Sequence, residues 1–139
     1  MTGLIECYDV GGTNLRGALI SYPEGNIKAS QTRDTLKGNV DEFLRQILNL
    51  SKFIRKSISD PIIAVSLGLP GPVENDVLLE APPILINAKV NIVSELGKSL
   101  NKPIFIDNDL NTAVRAESKL GIGKNTSNFC LLTISTGIG

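Results

Sequence analysis

The run Ile62–Leu69 constrains this chain more than any other feature. It reads Ile-Ile-Ala-Val-Ser-Leu-Gly-Leu, with almost no polar position. A strand of that kind has no face suited to water, so other elements must cover it on both sides. Upstream, Val40, Phe43, Leu44, Ile47, Leu48, Leu50, Ile54 and Ile58 recur at three- and four-residue spacing, which predicts a helix over 41–57 with one apolar stripe. Asp60-Pro61 ends it, because proline restricts the residue before it to extended backbone. Downstream, a weaker helix interrupted by Gly97 is expected over 91–100, then a short buried strand over 103–106 and a helix over 109–120, with Gly121 as its C-terminal cap. A last strand is expected over 128–134.

Ahead of the central run, residues 4–10 are apolar and meet Gly11-Gly12, and 15–21 read as the returning strand. Pro23-Glu24-Gly25-Asn26 is a turn cluster, followed by a more exposed strand over 27–32. Three consecutive strands suit an antiparallel meander, whereas strands joined across helices should be parallel. The expected class is α/β, a mixed sheet with helices on both faces.

Several functions are excluded by composition. The 139 residues carry no net charge, which gives no reason to expect nucleic acid or an anionic membrane as partner. No apolar run approaches the roughly 20 residues that span a bilayer. The start, Met1-Thr2-Gly3-Leu4, lacks the basic region of a secretory signal, so a cytoplasmic location is expected. With no histidine, a Ser-His-Asp hydrolase has no base in this segment. Cys7 and Cys130 lie in separate apolar runs and read as buried free thiols, and zinc is not supported here. The chain stops at Gly139 in a glycine-rich turn directly after a strand, and so reads as a piece of a longer protein.

Four clusters carry the chemistry, each at the carboxyl end of an expected strand. In Asp9-Val10-Gly11-Gly12-Thr13-Asn14 a carboxylate ends a strand, and two glycines bring backbone N–H groups close to an anion. Asp9 is suited to hold Mg²⁺, directly or through water; a plain hairpin turn is the alternative. Gly68-Leu69-Pro70-Gly71-Pro72-Val73 has a rigid backbone, poor in side chains, that could line a small polar substrate, or be a turn only. In Asp107-Asn108-Asp109-Leu110-Asn111, Asp109 could accept a proton from a substrate hydroxyl, and Asn108 could bond sugar hydroxyls. Helix capping explains the same residues. Thr133-Ile134-Ser135-Thr136-Gly137-Ile138-Gly139 repeats the pattern of a strand running into threonine and glycine. Together they offer two phosphate cradles, a metal-binding acid and a base, an inventory suited to phosphoryl transfer. The glycines at 11, 12 and 17 do not form a dinucleotide fingerprint, and no Walker-type loop is present.

These motifs resemble the ROK (repressor, ORF, kinase) sugar kinases, above all their glucokinases. Asp9-Val10-Gly11-Gly12-Thr13 is similar to the family's first phosphate motif, and Gly68-Leu69-Pro70-Gly71-Pro72-Val73 to its sugar-cleft loop. Asn108 to Ala113, continuing to Glu117, is similar to its catalytic segment, and residues 132–139 to its second phosphate motif. The resemblance covers residue 5 to the end. It implies an actin-like ATPase (ribonuclease H-like) domain with strand order 3-2-1-4-5. Residues 1–127 would be the N-terminal lobe, and 128–139 the first strand and phosphate turn of a second. By the same resemblance Asp109 is the base toward a sugar 6-hydroxyl. Asn108, Gly71, Pro70 and Glu80 bind the sugar. Gly11, Gly12, Thr13, Asn14, Thr136 and Gly137 contact ATP phosphates, and Asp9 organises Mg²⁺. The partners are then a hexose and ATP, with no nucleic acid or membrane, and a homo-oligomer is expected at full length. The sequence departs from the family at Ala81-Pro82-Pro83, where an asparagine is usual, and in having no tryptophan. No winged-helix segment precedes Leu4, so the repressor branch is not the one expected. A non-catalytic sugar sensor and another actin-like kinase or ATPase are the alternatives.

Overall fold

A computed structural model describes residues 2–134. The chain opens with three strands, β1 (Gly3–Val10), β2 (Asn14–Tyr22) and β3 (Ile27–Asp34). Helix α1 (Val40–Arg55) and strand β4 (Ile62–Leu69) follow. Three two-residue strands come next, β5 (Val73–Glu74), β6 (Val77–Leu78) and β7 (Val90–Asn91), with a 3₁₀ turn at Pro82–Ile84 between the last two. Helix α2 (Ile92–Leu100), strand β8 (Ile104–Asn108) and helix α3 (Asp109–Leu120) complete the series.

The main sheet has the order β3-β2-β1-β4-β8. The first three strands pair antiparallel, and β1–β4 and β4–β8 pair parallel. Counting its five strands in chain order gives 3-2-1-4-5, the order the resemblance implies. Alternation along β1 sends Leu4, Glu6, Tyr8 and Val10 to one face, where they are buried with Leu15 and Leu19 of β2 and Val65, Leu67 and Leu69 of β4. Helices α1 and α2 cover that face together. Phe43, Ile47, Leu50 and Ile54 of α1 fill the space above β1 and β2, and Ile92 and Leu96 of α2 seal it. Asn39 starts α1 by accepting from the Glu42 amide, with acidic residues in the first turn and Lys52 and Arg55 in the last, the polarity that the helix dipole favours. Helix α3 lies on the opposite face, against β4 and β8.

Under α1 the core holds a charge. Glu6 is fully buried, and its carboxylate accepts from both Tyr8 Oη and the Arg55 guanidinium, with Arg55 Nε at 2.8 Å. The sequence reading missed this pair, because Glu6 sits in an apolar run and Arg55 at the end of a helix.

Two expectations need correction. Residues 128–133 form no strand: Phe129 and Leu132 are exposed, and no neighbouring strand among the described residues offers a ladder partner. Cys130 is exposed and Cys7 only half-buried, so neither is the buried thiol expected; Cys7 lies on the sheet face away from α1. Gly121 caps α3 as expected, in extended backbone (φ −103°). The small sheet β5-β6-β7 forms in a stretch for which no strand was expected.

Candidate active site

Parallel pairing brings the carboxyl ends of β1, β4 and β8 to one edge of the sheet. In the ladder Asp9 lies beside Gly68, and Gly68 beside Asp107. Adjacent strands are about 4.8 Å apart, so the three positions form one short row. The hairpin turn 11–13 and the start of α3 flank it.

Gly68 admits α3. A Cβ there would lie 3.4 Å from the Asp109 Cα and 3.8 Å from Thr112 Oγ1, so the first turn of the helix rests on the strand end. Asn108 then does two jobs. Its Oδ1 accepts from the amides of Leu110 (3.0 Å) and Asn111 (3.2 Å), capping α3 as the sequence allowed. Its Nδ2 donates to the carbonyls of Gly71 (3.2 Å) and Leu69 (3.4 Å), tying the loop after β4 to the start of the helix. Gly71 in turn is pressed against residue 80: a Cβ on it would lie 1.9 Å from the Glu80 carbonyl oxygen. Pro70, Gly71, Glu80 and Asn108 are thereby gathered on one side of the row. Gly71→Ala must displace that carbonyl, and should cost about 1–3 kcal/mol of stability, read as a lower urea midpoint with unchanged slope.

Three carboxylates share the rim, and their surroundings differ. Asp9 pairs with Arg16 at 2.8 Å, both side chains more than half exposed. Asp107 pairs with Arg115 at 3.0 Å and accepts from Asn111 Nδ2 at 3.1 Å. Among the described residues Asp109 has no cationic partner; one of its oxygens accepts from the Leu110 amide at 2.9 Å. Burial pushes its carboxyl above the ordinary aspartate range; the Leu110 amide opposes the rise, and the nearby Asp9 charge adds to it. The two aspartates are on the same side of the molecule, since Asp9 pairs with Gly68 and Asp109 packs on Gly68.

The glycine turn is held from several directions. Gly11 N donates to Asn14 O at 2.8 Å, closing the hairpin. A Cβ on Gly12 would meet Pro83 Cβ at 3.1 Å and Pro83 O at 3.2 Å, so the 3₁₀ turn lies directly against it. Gly12 N and Thr13 N take no part in the turn's own hydrogen bonds, and Thr13 is exposed.

The described residues hold no cluster of three or more His, Cys, Asp or Glu able to bind a metal. A lone carboxylate such as Asp9 beside a glycine turn nevertheless fits Mg²⁺, which takes one or two carboxylates together with substrate phosphate oxygens and water. Thr136 and Gly137 lie outside the described residues. A groove of about 390 Å³ between β3 and α1, lined by Arg33, Glu42, Arg45 and Phe53 among others, holds none of the rim residues. Sequence reasoning missed Arg16 and Arg115, the cations that distinguish the three carboxylates. The seven-residue spacing of Asp9 and Arg16 across a tight hairpin was the available signal for the first.

A family model described as the ROK family matches residues 5–139. A glucokinase from Thermotoga maritima is 32% identical over 134 residues, covering 94% of this chain and 41% of the relative. A xylose repressor from Bacillus subtilis is 30% identical, with 94% and 35% covered. Among solved structures, a ROK family glucokinase from Streptomyces griseus, in complex with glucose and AMPPNP, superposes with a TM-score of 0.86 at 23% identity, covering 99% of this chain and 43% of the other. The chain spans less than half the length of these relatives.

Proposed function

The chain belongs to the ROK family and has its actin-like ATPase fold, and from that premise we propose that it is the N-terminal lobe of an ATP-dependent hexose kinase. One observation carries the reading. Of three carboxylates on the rim, Asp109 alone lacks a cation among the described residues, and it shares that edge with a glycine turn whose Gly12 and Thr13 amides take no part in the turn's own hydrogen bonds. A base next to an anion cradle is the arrangement phosphoryl transfer requires.

In this scheme the hexose lies against Pro70, Gly71, Glu80 and Asn108. Asn108 reaches it by exchanging one of its Nδ2 contacts to the loop carbonyls. Asp109 takes the proton from the sugar 6-hydroxyl as that oxygen attacks the γ-phosphorus, and the bond to the ADP oxygen breaks. Gly11, Gly12, Thr13 and Asn14 cradle the phosphates of ATP, and Thr136 and Gly137 would complete the cradle. Asp9 would hold Mg²⁺, which would supply positive charge against that of the transferring group. Arg16 keeps the Asp9 carboxylate oriented when no metal is bound. The remainder of a full-length protein would close over the site and exclude water. A cytoplasmic location follows from ATP as donor; among the described residues no helix is long and apolar enough to cross a membrane.

The match to a repressor favours a second reading, a sugar sensor without turnover. Full-length protein offered MgATP and a panel of hexoses separates the two. The kinase reading expects sugar-dependent ADP release with at least one hexose; sugar binding by calorimetry with no ADP from any hexose would reject it.

A further inference from the structure

Thr35 is an almost fully buried polar residue just beyond β3, and nothing in the scheme above uses it. Its amide donates to Thr13 O at 2.8 Å, and its Oγ1 donates to Gly11 O at 2.8 Å. These are the carbonyls on either side of Gly12. The neighbouring backbone is fixed in its turn from α1. Gln46 Nε2 donates to Asp34 O at 2.6 Å, and Gln46 Oε1 accepts from Leu36 N at 3.1 Å. Two residues further on, Gly38 N donates to Ile84 O at 2.8 Å, next to the Pro83 that packs on Gly12. The segment 34–38 is therefore a strap running from the helix, across the back of the glycine turn, to the 3₁₀ turn.

We propose that Thr35 is a positioning residue for nucleotide binding, fixing the Gly11 and Thr13 carbonyls so that the Gly12 and Thr13 amides point outward at phosphate. The physical reason is local. A glycine-rich turn has many backbone states of similar energy, and only one of them aims its N–H groups at a common point. The Gly11 carbonyl shares its peptide plane with the Gly12 N–H, and fixing it together with the Thr13 carbonyl leaves the Gly12–Thr13 plane held between two anchored ones, so the ordering is complete before the ligand arrives. The inference rests on the kinase reading, because it assigns phosphate to that turn.

The test uses Thr35→Val, Thr35→Ser and Gln46→Leu in the full-length protein, with KM for MgATP, KM for sugar, kcat and thermal melting measured for each. Thr35→Val keeps the shape and removes the hydroxyl donor. It should raise the nucleotide KM about tenfold, the worth of one well-placed hydrogen bond, while the sugar KM stays within about twofold. Thr35→Ser should restore the nucleotide KM, and Gln46→Leu should raise it in the same direction through the strap. An unchanged nucleotide KM in a folded Thr35→Val protein would overturn the assignment. So would an equal rise in both KM values that Thr35→Ser does not rescue. A wild-type protein that turns over no hexose sinks the kinase reading and this inference with it. An active wild type with an indifferent Thr35→Val sinks only the inference.

Discussion

Asp109→Asn in the full-length protein is expected to lower kcat by about 100- to 10,000-fold, the usual contribution of a positioned general base, while the sugar dissociation constant changes little. The amide keeps the shape and the hydrogen bond from Leu110 but cannot take a proton. Asp9 and Asp107 are poor substitutes, since each is engaged by an arginine. The pH dependence follows with a definite sign. Burial and the Asp9 charge raise the proton affinity of Asp109, so the carboxylate is lost on acidification earlier than an ordinary aspartate of pKa about 3.9 would be. The acid limb of kcat/KM should therefore fall through a midpoint above that value. In the free protein, Asp9→Asn should move the titration of the Asp109 carboxyl, followed by NMR, back down by removing the neighbouring negative charge. The same raised affinity favours the protonated form in the fold. This part of the stability is fully present below the unfolded pKa and lost as pH rises through the folded one. Pre-steady-state quench-flow with and without Asp109→Asn separates loss of chemistry from loss of binding. Near-normal turnover in the variant would remove Asp109 as the base.

Arg55→Ala should destabilise the protein by about 3–5 kcal/mol, the cost of leaving a buried charge without its partner. Glu6 is buried to the last atom between β1 and α1, and the Arg55 guanidinium and Tyr8 hydroxyl are its hydrogen-bond partners. Removing the guanidinium strands the carboxylate in the core. The double change Glu6→Leu with Arg55→Leu should recover much of the loss, because two apolar groups of similar volume need no pairing. Denaturant unfolding of the three variants checks this: a double variant no better than Arg55→Ala would show that packing, rather than the stranded charge, sets the cost. The network lies on the covered face of the sheet, away from the rim, so the double variant should retain its sugar and nucleotide affinities.

The large elements were legible because their signals are periodic. The stripe from Val40 to Ile58 and the unbroken apolar run Ile62–Leu69 placed α1 and β4 to within two residues. The convergence of Asp9, Gly68 and Asp109 followed from topology alone, since parallel strands must send their carboxyl ends the same way. Strands of two residues leave no such periodicity, which is why β5, β6 and β7 went unread. Even there a local sign existed: Asn75-Asp76 between Val73-Glu74 and Val77-Leu78 takes left-handed backbone at both positions (φ 48° and 67°), the pattern of a tight hairpin. The roles of Arg16, Arg115 and Thr35 depend on which side chains meet across the fold, and spacing along the chain carries only a faint trace of that. The run 128–134 shows the converse. It is rich in apolar residues, but among the described residues no strand pairs with 128–133, and a strand exists only where a neighbour supplies its hydrogen bonds.

The central claim is spatial, that a nucleotide phosphate and the Asp109 carboxylate meet on one rim. Paramagnetic broadening of backbone amide signals by Mn²⁺ bound with a non-hydrolysable ATP analogue reads this directly. The account expects the signals of Gly12, Thr13 and Leu110 to broaden together, while those of Gly25, in the turn between β2 and β3, and Ile62, at the start of β4, stay sharp. Broadening centred on Gly25 and Ile62, or reaching Gly12 but sparing Leu110, would contradict it.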